Sequence, residues 1–161
     1  MSRYVIEPLA RHDRATFSSG SDSLDGYFHK QVTQDMRRRI ATCFVAVTDD
    51  GKVAGFYTLA ATSLAFDRLS PERARKLPRY PVVPAILLGR LAVATTHQGR
   101  RLGGALVADA LLRSARAEIA GHVLVVDAID AEAARFYAHL GFEALADEPR
   151  RLIRPVPAIT A

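Results

Sequence analysis

The sequence predicts an α/β protein in which helices flank a mixed β-sheet, on three observations. Helical and strand-like patterns alternate along the 161 residues, which is typical of a sheet covered by helices. In the segment 122–126 every residue after His122 is apolar, as in a strand at the centre of a sheet. The hydrophobic fraction of 49% and the charged fraction of 24% are ordinary for a folded chain. We therefore predict one domain over residues 1–161, with a loose tail after about residue 155.

Local patterns predict the elements of the first half. Apolar residues at 24, 28, 32 and 36 recur every four positions, which predicts one amphipathic helix, and Ser21 to Ser23 offer N-cap residues before it. The sequence Asp49-Asp50-Gly51-Lys52 is typical of a hairpin turn. Ser70 followed by Pro71 predicts a short helix that ends by Leu77. The strands predicted here are 4–9, 43–47 and 53–59, with an irregular stretch after the third.

The second half predicts alternating strands and helices. A helix that begins near Leu102 would bury the stripe 108, 111, 112, 115 and 119, with Gly121 just after its last turn. Asp130 is placed to cap a further helix, which Gly141 would close. The strands predicted here are 85–93, 122–126, 142–145 and 152–153, with Pro149 in the turn between the last two.

Composition limits the partners and the location. The net charge is +5 and most of the cations are arginine, whose planar fork of donors suits phosphate. This favours either a solvated basic surface or a polyanionic partner, and composition does not choose between them. No run approaches the roughly 18 apolar residues of a membrane span, and the first residues lack the pattern of a secretory signal. Cys43 is the only cysteine, which excludes an internal disulfide. We expect a cytoplasmic protein that does not bind membranes.

The junction between the strand ending near Val93 and the helix beginning near Leu102 predicts an anion site. The first N–H groups of a helix have no partner within it, and the positive end of the helix dipole lies there. The adjacent glycines at 103 and 104 have no side chain to keep a diphosphate from the backbone. Arg100 and Arg101 add positive charge. The alternative is an arginine-rich loop with two incidental glycines.

Two common phosphate motifs do not fit this turn. The Walker pattern needs Gly-Lys-Ser/Thr at the helix start, and the dinucleotide fingerprint needs glycines spaced G-x-G-x-x-G. The turn instead reads R-x-x-G-x-A from Arg100 to Ala105, after Gln98-Gly99. This pattern resembles the pyrophosphate-binding motif of the GCN5-related N-acetyltransferases (GNAT).

A second segment resembles the same family. Residues 133–142 match the pattern A-x-x-F-Y-x-x-x-G-F, which follows an apolar strand in the family as it does here. The resemblance implies the GNAT fold, a mostly antiparallel twisted sheet with helices on both faces, and acetyl-CoA as the co-substrate. It implies that the strand backbone and the turn bind this cofactor through Leu91, Ala92, Val93, Gln98, Gly99, Arg100, Arg101, Leu102, Gly103, Gly104 and Ala105. The histidines show no metal-ligand spacing with one another or with Cys43, so no metal is expected.

The resemblance also gives Tyr137 a role, because it occupies the tyrosine position of the family motif. In the family reaction an amine attacks the thioester directly and a thiolate leaves. A phenol with a pKa near 10 can protonate a thiolate whose conjugate acid has a pKa near 8.5. Tyr137 is therefore predicted to be the catalytic acid. The alternative is a core aromatic on the buried face of a helix.

The strands around the predicted site contain no obvious general base. Neither 85–93 nor 56–66 includes a carboxylate. An α-amine has a pKa of about 7.7 to 8.0 and is substantially neutral without a base, whereas a lysine amine with a pKa near 10.4 is not. The missing base therefore favours an α-amine as the acceptor, although Asp67 or Glu72 could fold back to supply one.

Further stretches resemble one subgroup of the family, the toxins of type II toxin–antitoxin modules that acetylate aminoacyl-tRNA. The resemblance runs from about Tyr4 to Ile153. It implies a charged tRNA as the substrate, whose acetylation blocks translation, a neighbouring ribbon-helix-helix antitoxin, and a homodimer. The alternatives are an N-acetyltransferase of a small amine or a protein N-terminus, and a CoA-binding subunit without catalysis. The matching stretches are 17–20, 24–28, 37–42, 53–59 and 81–93.

A tRNA substrate would require basic surfaces near the amine. Arg90 is the first candidate, because a charge in an otherwise apolar strand needs a partner. That partner is either RNA phosphate or an internal acid such as Asp127. The run 37–39 is alternatively a solvated helix end, where cations suit the helix dipole. The predicted tRNA-binding residues are Arg90, Arg37, Arg38, Arg39, Arg73, Arg75, Lys76 and Arg79.

Overall fold

The computed structural model describes residues 3–158. Within this range the strands are β1 (Val5–Pro8), β2 (Thr42–Val47), β3 (Val53–Ala65), β4 (Val82–Val93), β5 (Val123–Asp127), β6 (Glu143–Leu145) and β7 (Glu148–Pro155). The α-helices are α1 (Asp22–Lys30), α2 (Val32–Arg37), α3 (Pro71–Ala74), α4 (Leu102–Arg116) and α5 (Ala131–His139).

The described strands form one seven-stranded sheet in the order β1-β2-β3-β4-β5-β7-β6. Antiparallel pairs join β1 to β2, β2 to β3, β5 to β7 and β6 to β7, whereas β4 and β5 are parallel. The predicted fold class, a mostly antiparallel mixed sheet flanked by helices, is confirmed. None of the described helices is long and apolar enough to cross a membrane.

The chain divides into two compact units. The first contains the residues up to Ala60 together with Gly89–Ala110. Its core joins residues of β2, β3 and the end of β4 to aromatic residues of the N-terminal helices, and Phe28 stacks on Phe56 with ring centroids 4.2 Å apart. The buried members are Leu9, Phe17, Tyr27, Phe28, Val32, Cys43, Val45, Val53, Phe56, Ala92 and Ala94.

The second unit contains Ala61–Leu88 and the residues from Leu111 onward. Its core is aliphatic and includes alternate residues of β5, because successive side chains of a strand point to opposite faces. The buried members are Leu64, Leu69, Val83, Ala85, Val123, Val125, Leu145 and Ile153.

The single N-terminal helix predicted over residues 24–36 is wrong, because the segment forms two helices. Gln31 ends α1 and precedes α2, and its φ of −119° departs from helical geometry. Phe28 and Val32 still lie in one core despite this break, so the predicted apolar face is retained. Ser21 caps α1 as predicted, since its side chain accepts a hydrogen bond from the Leu24 N–H.

Of the five positions predicted for the buried stripe of α4, only Leu111 is buried. Leu112 is exposed and Ile119 lies beyond the end of the helix at Arg116, so Gly121 does not follow its last turn. The buried positions recur at steps of four, three and one, which places the buried face at a different phase of the same helical period. They are Leu102, Leu106, Val107, Ala110, Leu111 and Ser114.

Two strand predictions and the predicted tail need smaller corrections. β3 continues to Ala65, through part of the stretch predicted to be irregular, before a 3₁₀ turn at Phe66–Arg68. Pro149 lies inside β7 rather than in the turn before it. The predicted loose tail begins with Val156, whose N–H donates to the His122 carbonyl at 2.9 Å, and residues 159–161 of that tail lie outside the described residues.

Candidate functional site

The turn that links β4 to α4 has two residues in the left-handed region. Gly99 has a φ of +79° and Arg101 a φ of +62°. A Cβ on Gly99 would meet no atom within 4 Å, so the surface of the turn is open at that point. The N–H of Ala105 donates to the Arg101 carbonyl at 3.2 Å, and buried Leu102 anchors the first residue of the helix. The N-terminus of a 15-residue helix thus follows an open, arginine-rich turn.

The side chain of Gln98 stabilises this turn through two hydrogen bonds. Its side-chain amide donates to the Val93 carbonyl at 3.0 Å and to the Ser19 carbonyl at 2.9 Å. Ser19 is held in turn by Asp25, whose carboxylate accepts from the Ser19 hydroxyl at 2.6 Å and from its N–H. Gln98 was predicted to contact the cofactor. In the structure its side chain instead makes these two hydrogen bonds within the protein.

The start of α4 packs against strand β3 at a glycine. A Cβ built on Gly55 would lie 3.0 Å from the carbonyl oxygen of Ala92, 3.1 Å from Leu106 and 3.4 Å from Leu102. No other residue type permits this approach without displacement of the β4 backbone or the helix. Gly55 therefore sets the distance between the end of β4 and the helix that follows the turn.

Sequence reasoning missed a polar link between the same elements. The hydroxyl of Tyr57, which is fully buried, donates to the Asp109 carboxylate of α4 at 2.5 Å. Both residues also make other interactions. Because the two residues are far apart in the chain, neither periodicity nor a local motif signals the pair. It fixes the rotation of α4 about its own axis near the turn.

The last residues of β4 alternate as a strand requires. Ala92 is buried, whereas Leu91 and Val93 are half-buried. The parallel pairing with β5 covers Ala85–Leu88, and β4 then continues to Val93. The end of β4 thus extends beyond its pairing with β5, and the Val93 carbonyl there accepts from the Gln98 side chain.

Arg90 lies on the same strand and its environment is well defined. Its guanidinium lies over the Tyr27 ring, 3.6 Å from the ring centroid, and its backbone N–H donates to the Thr58 hydroxyl at 3.1 Å. The Tyr27 hydroxyl donates to the Asp35 carboxylate at 2.8 Å. Burial and this hydrogen bond raise the pKa of Tyr27 above its usual range. No local pattern in the sequence joins Tyr27 to Arg90.

The predicted alternative partner of Arg90 is engaged elsewhere. Asp127 lies 3.7 Å from the guanidinium of Arg151. Among the described residues, Arg90 makes no ion pair.

Tyr137 belongs to the second unit. It is 9% exposed on α5 and its ring packs edge-on against Phe136 and Phe142. Burial raises its pKa to about 12, so the phenol is protonated over the whole neutral range. Asp130 caps α5 as predicted, because its carboxylate accepts from the Ala133 N–H at 2.8 Å. This position is consistent with both readings of Tyr137, a proton donor or a core aromatic.

The other residues predicted to contact tRNA differ in their exposure and in whether they already form ion pairs within the protein. Arg37 is the last residue of α2, and Arg39 has a φ of +59° just beyond it, so this run forms an exposed helix end. In the second unit, Arg73 makes two hydrogen bonds to Glu143, at 2.9 and 3.1 Å, which lower the pKa of that carboxyl. The remaining members, Arg75, Lys76 and Arg79, are exposed.

Comparison with known proteins identifies a family and a related protein to which this chain is similar. The family described as Acetyltransferase (GNAT) domain matches residues 39–144. A tRNA-acetylating toxin from Mycobacterium tuberculosis is 41% identical over 143 residues, which cover 88% of this chain and 84% of that protein.

Solved structures are similar over almost the whole chain. The complex of AtaT with acetyl-methionyl-tRNAfMet superposes with a TM-score of 0.86 at 29% identity and covers 95% of both chains. A mutant AtaT toxin bound to the C-terminus of the antitoxin AtaR and to acetyl-CoA gives a TM-score of 0.79 at 26% identity, over 95% of this chain and 93% of that one.

Proposed function

Since the chain belongs to the GNAT family of acetyltransferases, we propose that it is a toxin that transfers the acetyl group of acetyl-CoA to the α-amine of an aminoacyl-tRNA. The observation that carries the proposal is the turn from Gln98 to Leu102. Its open glycine, its two arginines and the helix N-terminus behind it suit a diphosphate. A relative with 41% identity is a tRNA-acetylating toxin.

The residues present fit acetyl-CoA. The backbone N–H groups at Leu102, Gly103 and Gly104 begin α4 and would face the pyrophosphate, with Arg100 and Arg101 adding charge. The backbone of Leu91, Ala92 and Val93 would hold the extended pantetheine arm. Gly99 and Ala105 complete the turn, and Gln98 keeps it in place through Ser19 and Val93. When bound, the cofactor supplies the activated acetyl group.

Tyr137 is the proton donor in this proposal. A phenol whose pKa is raised to about 12 keeps its proton at neutral pH. Full transfer of that proton to a free thiolate, whose conjugate acid has a pKa near 8.5, is uphill by about 3.5 pKa units. Tyr137 would therefore act first by donating a hydrogen bond to the sulfur as negative charge develops on it. Its buried ring is held by Phe136 and Phe142, which limits the directions in which the hydroxyl can point.

The acceptor side of the proposal depends on charge. The α-amine of an amino acid whose carboxyl group is esterified to tRNA is neutral in a substantial fraction near pH 7.5, because the pKa of an α-amine is about 7.7 to 8.0. Such an amine needs no strong base, in agreement with strands that lack a carboxylate. Arg90 and the other predicted cations would bind phosphates and make binding sensitive to salt. They are Arg37, Arg38, Arg39, Arg73, Arg75, Lys76 and Arg79.

The proposal extends to partners and location. The related toxin AtaT has been crystallised with the C-terminus of its antitoxin AtaR. We propose that this chain has an antitoxin as well, of the ribbon-helix-helix type, and that it acts as a homodimer in the cytoplasm, where charged tRNA is found.

A transfer assay tests the function. The purified full chain is incubated with labelled acetyl-CoA and total charged tRNA, with deacylated tRNA as the control. We expect label on the aminoacyl group, recovered as an N-acetyl amino acid after mild base hydrolysis. Label on free amines or peptide N-termini, with none on charged tRNA, would show a different acetyltransferase.

A further inference from the structure

We propose that Tyr27, Asp35 and Arg90 form a phosphate subsite for the 3′-terminal nucleotide of the charged tRNA, in which Arg90 binds the phosphate and the other two residues position it. This inference rests on the proposed function and adds a location for one RNA phosphate. All three residues belong to the first unit, and their mutual contacts are defined by the structure.

Arg90 is held by one contact of its side chain and one of its backbone. The strand periodicity places it on the same face of β4 as Ala92, which is part of the core that contains Tyr27. The guanidinium lies over the Tyr27 ring, with its central carbon 3.6 Å from the ring centroid. The Thr58 hydroxyl accepts from the Arg90 N–H at 3.1 Å and fixes the backbone below it.

The ring beneath Arg90 is itself fixed. Tyr27 is buried, and its hydroxyl donates to Asp35 at 2.8 Å. Asp35 lies on α2 and Tyr27 on α1, so the bond spans the break between the two helices. A ring held at both its face and its hydroxyl gives the guanidinium a rigid surface.

Stacking leaves the donors of Arg90 unused. A guanidinium over the centre of a ring interacts with it through its charge, which uses none of its five N–H donors. Arg90 is exposed, and within residues 3–158 its side chain makes no hydrogen bond or ion pair. A planar fork of unused donors is the arrangement that binds a phosphate through two hydrogen bonds.

The position of Arg90 on β4 selects the phosphate. Arg90 directly precedes Leu91–Val93, the segment proposed to hold the acetyl donor, and a strand rises only about 3.3 Å per residue. In a charged tRNA the amino acid is esterified to the terminal ribose, and the nearest phosphate is the one on the 5′ side of that ribose. When the amine reaches the acetyl group, this phosphate would therefore be the RNA phosphate nearest to Arg90.

A substrate with one neutral linkage tests the assignment. Charged tRNA is prepared with a methylphosphonate in place of the 3′-terminal phosphodiester, and kcat/KM is measured for the wild type and for Arg90→Ala. We expect about a tenfold loss for the wild type on the modified substrate, the size of a charge-assisted pair. Arg90→Ala should lose about tenfold on normal tRNA and nothing further on the modified one.

The positioning residues are tested by their effects on KM. Tyr27→Leu removes the ring and should raise KM for charged tRNA about threefold, while kcat and the Kd for acetyl-CoA stay within about twofold. Arg90→Lys keeps the charge without the planar fork and should resemble Arg90→Ala on normal tRNA. Tyr27→Phe keeps the ring and loses only the bond to Asp35, so its KM should lie between those of the wild type and Tyr27→Leu. Arg116→Ala, an exposed arginine at the end of α4, is the charge control and should leave KM unchanged.

The possible results are distinct. If charged tRNA is not acetylated at all, the proposed function fails. If it is acetylated and the losses from Arg90→Ala and from the methylphosphonate multiply, Arg90 does not bind that phosphate and the inference is overturned. A fall in melting temperature or in acetyl-CoA affinity that accounts for the whole effect of Tyr27→Leu would assign Tyr27 a purely structural role.

Discussion

Tyr57 of strand β3 donates a hydrogen bond of 2.5 Å to Asp109 of helix α4. The tyrosine is fully buried and the aspartate is half-buried, so the bond operates in a poorly solvated environment where a charged acceptor is costly to leave unpaired. It joins the strand that contains Gly55 to the helix whose N-terminus is proposed to bind the pyrophosphate.

Tyr57→Phe should lower the free energy of unfolding by about 2 kcal/mol, because hydrogen bonds to charged groups contribute about 1.5–3 kcal/mol. Urea unfolding measures this loss. Isothermal titration should show weaker acetyl-CoA binding, because the orientation of α4 about its own axis is no longer fixed by this hydrogen bond. Tyr80→Phe, at a tyrosine that is 65% exposed, is the control and should change neither quantity. Equal effects of the two substitutions would mean that the Asp109 bond contributes nothing specific.

Local chemistry explains which parts of this fold were predictable from sequence. The caps at Ser21, Ser70 and Asp130 depend on one side chain and the backbone N–H groups of the next turn. The turn Arg100–Ala105 likewise depends on neighbouring residues. Such features need no tertiary information, and the structure places the three caps and the turn at the predicted positions.

Contacts between distant segments were not predictable in the same way. The stack of Arg90 on Tyr27 and the bond from Tyr57 to Asp109 join segments whose relation only the folded sheet establishes. The prediction of which face of α4 is buried was wrong for a related reason. Leu112 is as apolar as Leu111, and only the packing of Leu102 and Leu106 under Gly55 decides which is buried.

Gly55→Ala should destabilise the protein by about 1–3 kcal/mol, the usual cost of overpacking. The added methyl would lie 3.0 Å from the Ala92 carbonyl, which is backbone and cannot rotate away. Gly26→Ala is the matched control, because a Cβ there meets nothing within 4 Å and the residue lies inside α1. It should stabilise by about 0.5–1 kcal/mol. Thermal unfolding of both variants checks the pair, and a destabilisation by Gly26→Ala as large as that by Gly55→Ala would contradict it.

The left-handed residues of the turn predict opposite effects of glycine and alanine. Gly99→Ala should cost about 1–2 kcal/mol through its φ of +79° alone, since the space around it is open. Arg101→Gly and Arg101→Ala both remove the charge, but only glycine relieves the φ of +62°. Arg101→Gly should therefore be roughly 1 kcal/mol more stable than Arg101→Ala, with equal losses of acetyl-CoA affinity. Urea unfolding and titration measure the two quantities. Equal stability of the two Arg101 variants would contradict the backbone assignment.

Tyr137→Phe should lower kcat by about a hundredfold or more, as expected for loss of a general acid, with the Kd for acetyl-CoA unchanged within about twofold. In the wild type, kcat/KM should rise with pH as the amine loses its proton. No decrease in kcat/KM is expected until the pH exceeds about 10, because burial raises the pKa of Tyr137 to about 12. Stopped assays across the pH range check both statements. A wild-type kcat retained by Tyr137→Phe would leave Tyr137 as a core aromatic.

The same pKa shift predicts an alkaline loss of stability. The phenol of Tyr137 binds its proton more tightly in the folded state, with a pKa of about 12, than in the unfolded state, where the pKa is near 10. Its contribution is complete below about pH 10 and is lost as the pH rises toward 12. Urea unfolding at pH 9 and pH 11 should therefore show a larger decrease for the wild type than for Tyr137→Phe. An equal decrease would indicate that the proton of Tyr137 is not involved.

Arg73 and Arg79 should contribute unequally to tRNA binding although both are arginines of the same segment. The charge of Arg73 is already matched by Glu143 through two hydrogen bonds, whereas Arg79 has no ion pair among the described residues. A cation that must leave a carboxylate gains less from a phosphate than one that leaves only water. Arg79→Ala should lower the slope of log K against log salt concentration by about 0.7–0.9, the value for one phosphate contact, and Arg73→Ala by clearly less. Filter binding of charged tRNA at several salt concentrations measures both slopes. A larger effect of Arg73→Ala would mean that Glu143 releases Arg73 when RNA binds, and Glu143→Gln would then strengthen binding.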